Sequence, residues 1–155
     1  MIFLLLNDLL HYLQANIPER TFELNSLPDR NITYQCELDC IHITLLNVAE
    51  DSSSRIPYTR PQPGAVTYRP ENPPVNLNLN LIISCSFKQY GESLKALSEV
   101  ITTINSKQVF ITEKFKYTVT LQSLTIDQNI QLWSAFSAGI LPNVIYKIRS
   151  VPTGN

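Results

Sequence analysis

Leu124 to Arg149 reads LTIDQNIQLWSAFSAGILPNVIYKIR, and this stretch decides the fold. Thr125 followed by Gln128 fits a capping box, in which each side chain satisfies an orphan backbone donor at a helix start. Asp127 lies in the first turn, where a negative charge suits the helix dipole. Ile126, Ile130, Trp133 and Phe136 recur at helical spacing and form one apolar stripe, which makes Trp133 a core residue rather than a binding aromatic. Gly139 can take the left-handed conformation that closes a helix, and Pro142 blocks continuation. Val144, Tyr146 and Ile148 then alternate with Ile145, Lys147 and Arg149, a strand with one apolar and one mixed face. A helix leading straight into a strand, with no reactive set in it, points to a building block.

Working outward, VNLNLNLIISCSF (Val75–Phe87) alternates throughout. Val75, Leu77, Leu79, Leu81, Ile83, Cys85 and Phe87 share one face; Asn76, Asn78, Asn80, Ser84 and Ser86 share the other. Its length predicts a central strand. Gly91 allows a turn into GESLKALSEVITTIN, where Leu94, Leu97, Ile101 and Ile104 form a helical stripe and Glu92 to Lys95 or Ala96 stays solvated. Val109–Thr112 and Tyr117–Leu121 read as shorter strands. At the N-terminus, Ile2, Leu5, Leu6, Leu9 and Leu13 share a helical face, predicting a helix from about Ile2 to Ala15 that stops before Pro18. Thr21–Leu27 reads as a short strand or extended link. Within Tyr34–Val48, CIHITLLNV is rich in branched residues and reads as a strand, with Ile41, Ile43 and Leu45 opposite Cys40, His42 and Thr44. The element order predicts an α+β fold, helices packed on a mixed or largely antiparallel sheet.

The exception is residues 50–74, EDSSSRIPYTRPQPGAVTYRPENPP, which hold six of the chain's ten prolines. Proline removes ladder donors and fixes the backbone, so neither helix nor central strand fits. Two readings remain for this Pro-rich loop: a mobile linker, or a semi-rigid arm that orders on a partner. Tyr58, Tyr68, Arg55, Arg60 and Arg69 favour the arm and are the candidate partner-binding residues. The flanking strands belong to one sheet, so residues 1–155 are expected to form one domain.

The 155 residues carry 12 basic and 13 acidic side chains, a balance that draws the chain to neither nucleic acid nor an acidic membrane. Charged residues make up 16%, below the usual quarter, as suits a surface covered by another protein. The run Ile2–Leu6 lacks a basic start and a clean cleavage site, so an amphipathic helix is expected rather than a secretion signal, and nothing is long enough to span a membrane. There is no phosphate-binding glycine loop, nucleophile elbow or paired-histidine motif. Cys36, Cys40, His42 and Cys85 offer zinc-type ligands, but the spacing is wrong for a knuckle, and Cys40 and His42 fall inside a strand. Cys36 and Cys40 would sit about 13 Å apart along a strand, too far for a disulfide. Asp8 and His11 read as a surface pair. No catalytic residue, cofactor or metal is expected.

Three segments carry a family resemblance: MIFLLLNDLLHYLQ with LLNVAED, NLNLNLIISCSFKQYGESLKALSEVITTIN, and LTIDQNIQLWSAFSAGILPNVIYKIRSVP. The chain resembles the cap, or tail-terminator, proteins of phage-tail-like contractile injection systems, of the Photorhabdus virulence cassette and antifeeding prophage type. The likeness implies a tail-terminator-like α+β domain and a homo-hexameric ring. That ring would sit on the inner tube and sheath, at the end distal to the baseplate, and stop their polymerisation. It implies no catalysis, no cofactor, and assembly in the bacterial cytoplasm as part of a contractile particle. A different structural adaptor of the same particle, at the baseplate, is the alternative. Some members carry longer C-terminal extensions; with the last residue at Asn155, no role of such an extension is carried over.

Overall fold

The computed structural model describes residues 1–26, 39–51, 76–135 and 140–152. In chain order they form α1 (Ile2–Asn16), β1 (Phe22–Leu24), β2 (Cys40–Glu50), β3 (Leu77–Ser86), α2 (Tyr90–Ser106), β4 (Val109–Ile111), β5 (Phe115–Gln122), α3 (Ile126–Ala135) and β6 (Asn143–Pro152). The strands make one six-stranded sheet in the order β1-β2-β3-β6-β5-β4. β1 runs parallel to β2; every other neighbouring pair is antiparallel. The sheet is therefore mixed and largely antiparallel, flanked by helices, and β3 is central, as its length predicts.

The main core lies on one face. Leu5, Leu6, Leu9 and Leu13 of α1 are all buried there, as their spacing requires. They meet Ile41, Ile43, Leu79, Leu81, Ile83, Cys85, Tyr117, Val119, Val144, Tyr146 and Ile148 from the strands. Phe110 stacks on Tyr117 at 4.8 Å, and Tyr12 meets Phe110 edge-on at 4.9 Å. Arg20, in the turn after α1, bonds Glu92 at 3.3 Å and Glu99 at 3.1 Å on α2, and lies over the Phe87 ring at 5.3 Å. This cation ties α1's exit to α2. Its pKa is raised, chiefly by its hydrogen bonds to Glu99.

The opposite face carries a smaller core of Ile82, Trp133 and Ile145, flanked by Leu46, Leu124, Leu132 and Leu141. It seats α3. The capping box forms: Thr125 N–H donates to Gln128 Oε1 at 3.1 Å, and Gln128 N–H donates to Thr125 Oγ1 at 3.2 Å.

Several expectations need correction. In α3 only Trp133 of the predicted stripe is buried; Ile126 is 80% and Ile130 46% exposed. The helix rests on Leu132 and Trp133, which pack with Ile82, Ile145 and Leu46 of the sheet. Phe136 and Gly139 lie outside the described residues. In α2 the buried line is Ser93, Ala96, Val100 and Ile104, with Leu94 exposed and Leu97 and Ile101 half-buried. The helix is thus rolled so that its small residues approach the sheet, and Ala96 is not solvated. Gly91 lies within the first turn of α2 rather than before it. Asp8 is not paired with His11 but accepts a 2.5 Å hydrogen bond from Tyr117 Oη. β2 runs on to Glu50 and β3 starts at Leu77, so the interval between the two strands is residues 51–76 rather than 50–74.

Candidate assembly interface

The β2–β3 ladder continues to the pair Glu50–Leu77, and one bond further Asp51 N–H donates to Asn76 O at 2.8 Å. Residues 52–75 therefore connect two backbone positions pinned side by side. Arg149 on β6 reinforces the base: its Nη2 donates to Asp51 Oδ2 at 2.8 Å and its Nε at 3.3 Å. Asp51 is 8% exposed, and a carboxylate so buried is stabilised by a paired guanidinium. Asp51 and Arg149 are structural residues that pattern reading missed, because the partners lie 98 positions apart. The five candidate partner-binding residues, Arg55, Tyr58, Arg60, Tyr68 and Arg69, lie outside the described residues, all between these feet.

A shallow groove of about 510 Å³ runs between α3 and the sheet. Its floor is Leu46, Leu124, Leu132 and Ile145, and its rim is Asn47, Asn80, Gln122, Gln128 and Gln131. Among the described residues no charged side chain lines it, and the groove offers apolar and amide contacts.

The zinc-type residues separate. Cys85 faces the main core, and burial pushes its thiol up to about 12. Cys36 is outside the described residues. Cys40 and His42 share a face, and parallel β1 brings Glu23 beside them, all three ligand atoms within 4.8 Å. Both His42 nitrogens are engaged, however: Nδ1 with Asn25 at about 3.0 Å and Nε2 with Ser86 Oγ at 3.2 Å. Burial lowers the His42 pKa, against the opposing pull of Glu23. The cluster thus holds a neutral, hydrogen-bonded core histidine. Tyr146, Lys147 and Arg149 divide as their alternation predicts, with Tyr146 buried in the main core and the other two on the α3 side.

Both lateral edges of the sheet are short. β1 covers β2 only from Ile41 to Ile43, and Asn47 to Glu50 are exposed. β4 spans three residues, with Val109 45% and Ile111 71% exposed. Among the described residues no helix is long and apolar enough to cross a membrane.

A mixed six-stranded sheet with helices on both faces is the tail-terminator fold. Residues 6–154 match the Pvc16 N-terminal domain family, and the chain belongs to it. Among solved structures it is similar to the PVC sheath/tube terminator of an extracellular contractile injection system in its extended state. The TM-score is 0.71 at 14% identity, over 100% of this chain and 57% of that one. It is also similar to the tube-terminating cap of the anti-feeding prophage, with TM-score 0.69 at 15% identity, over 97% of this chain and 55% of that one. The chain thus spans little more than half the length of the solved chains it matches. No curated protein sequence matches it. The resemblance carried by the three quoted segments holds at the level of family and fold.

Proposed function

We propose that this chain is the ring-forming domain of a cap that terminates the tube and sheath of a contractile injection system. The observation that carries the reading is the likeness to a sheath/tube terminator along its whole length. A homo-hexamer matching the six-fold symmetry of a tail, seated on the last inner-tube ring and engaging the last sheath ring, is the arrangement this role requires. The part is structural rather than catalytic: surfaces, not a reactive pocket, do the work. The pinned base at Asp51, Asn76 and Arg149 supports residues 52–75 as the reaching element. Within it, Arg55, Tyr58, Arg60, Tyr68 and Arg69 are assigned to contacts with a neighbouring subunit, tube or sheath, since tyrosine and arginine dominate interface hot spots.

The test is deletion of the gene followed by particle imaging. Tubes and sheaths of uncontrolled length are expected; particles of unchanged length and distal end would overturn the role. Replacing the five arm residues together by alanine should leave the fold intact, by circular dichroism, and reduce cap occupancy on particles.

A further inference from the structure

We infer that α3 is a rocker with two seats on the sheet, pivoting on Trp133, and that the structure shows one of them. The inference concerns the chain by itself and does not rest on the cap reading.

Its basis is the helix wheel. At about 100° per residue, Leu132, Asn129, Trp133, Ile126 and Ile130 follow one another around a single arc of α3, with Trp133 in the middle. Ile126 lies only about 20° from Trp133 on that wheel. Yet Trp133 is 2% exposed, Ile126 80% and Ile130 46%. α3 therefore leans on the Leu132 side of the arc and holds its isoleucine side off the sheet. The leaning side is not wholly apolar. Among the described residues Asn129 Oδ1 is buried and meets no hydrogen-bond donor, a cost that contact with water would relieve.

The sheet offers a second seat. A recess of about 280 Å³ lies under the first turns of α3, with Ile126 and Asn129 on the helix side and Leu121, Val144 and Ile145 on the strand side. The 510 Å³ groove lies on the other flank, lined from the helix by Gln128, Gln131 and Leu132. Leu124 and Ile145 belong to both hollows, so the two adjoin beneath the helix. Rolling α3 by less than a quarter turn about Trp133 sets Ile126 and Ile130 into the recess and turns Asn129 towards the widened groove and water. The first seat uses Leu132 with Trp133; the second uses the stripe Ile126, Ile130 and Trp133, whose spacing is the regular helical one. Each seat fills one hollow and opens the other. Whatever occupies the groove therefore favours the second seat, through that difference alone.

The experiment labels the isoleucine δ1 methyls of the full chain and measures relaxation dispersion, which reads microsecond-to-millisecond exchange. Exchange is expected at Ile126, Ile130, Ile82 and Ile145, and none at Ile41 and Ile43 in the main core. Asn129→Leu gives the first seat an apolar side chain in place of the orphan amide and is expected to abolish the exchange. Ile130→Cys with Asn143→Cys, in a Cys36→Ser background, captures the second seat directly. Asn143 lines the recess and Ile130 does not, so the two sulfurs meet only after the roll. Cys40 and Cys85 are buried and stay out of the reaction. A disulfide within one chain is expected on mild oxidation. Flat dispersion at Ile126 and Ile130, or a cysteine pair that stays reduced, would overturn the second seat. Exchange that persists in Asn129→Leu, or that extends to Ile41 and Ile43, would assign the motion to fraying or global opening and overturn it equally.

Discussion

Ile82→Ala tests whether α3 is held by a core of its own. Ile82 is fully buried on the face opposite α1 and α2, packed with Trp133, which is 2% exposed, and Ile145. Each lost carbon is worth about 0.8 kcal/mol, so the transfer loss is about 2.4 kcal/mol. The space left beneath a tryptophan held between sheet and helix closes only partly, which brings the total to about 3–4 kcal/mol. Trp133 is the chain's one tryptophan, so its fluorescence reports this core directly. Urea unfolding followed by tryptophan emission and by far-ultraviolet circular dichroism should show both midpoints moving down together, with native emission shifted to longer wavelength. A loss under about 1 kcal/mol with unchanged emission would refute the packing of Trp133 on Ile82 and the argument that α3 is anchored there.

On the other face, Leu9→Ala removes a fully buried side chain from α1 and should cost about 3–4 kcal/mol by chemical denaturation. Arg20→Ala should cost about 1 kcal/mol, since its glutamate partners are more than a third exposed, and the difference from the parent should shrink in high salt. The lowered His42 pKa makes a stabilising contribution that is present above the unfolded value and lost as pH falls, so Tm should decline below about pH 6.5 and His42→Gln should flatten that limb. Burial pushes the Tyr146 hydroxyl up to about 12, a contribution complete below the unfolded value near 10 and lost above it, so Tyr146→Phe should reduce the alkaline fall in Tm.

Residues whose neighbours are near in sequence were legible. The α1 leucines, the Thr125–Gln128 box and the alternation of β3 each follow from local period or local hydrogen bonding. The faces of α2 and α3 were misread for a different reason. Period identifies a stripe, but the partner surface decides which residues lie at its centre. Ala96 and Ser93 win over Leu94 because small side chains let α2 approach the sheet, and Ile126 is left outside because α3 seats Leu132 and Trp133 on the strands instead. The clamps Arg20–Glu99, Asp8–Tyr117 and Asp51–Arg149 join residues 79 to 109 positions apart, and no local pattern encodes them. β1 was readable as extended, but its parallel pairing, which sets Glu23 beside His42, was not. Of the proposed assembly surface, composition indicated the tyrosines and arginines between the prolines, whereas the pinned base at Asp51 and Asn76 needed the sheet.

The paired feet at Asp51 and Asn76 have an engineering consequence. The entropy of closing a connection depends on the separation of its ends and only weakly on its length, each doubling costing about 0.6 kcal/mol. The ladder and the Arg149–Asp51 pair hold those ends together, so lengthening the insert adds little to the cost of closing it. Variants with residues 52–75 lengthened, by a grafted tag for example, should therefore keep the parent's unfolding free energy within about 1 kcal/mol.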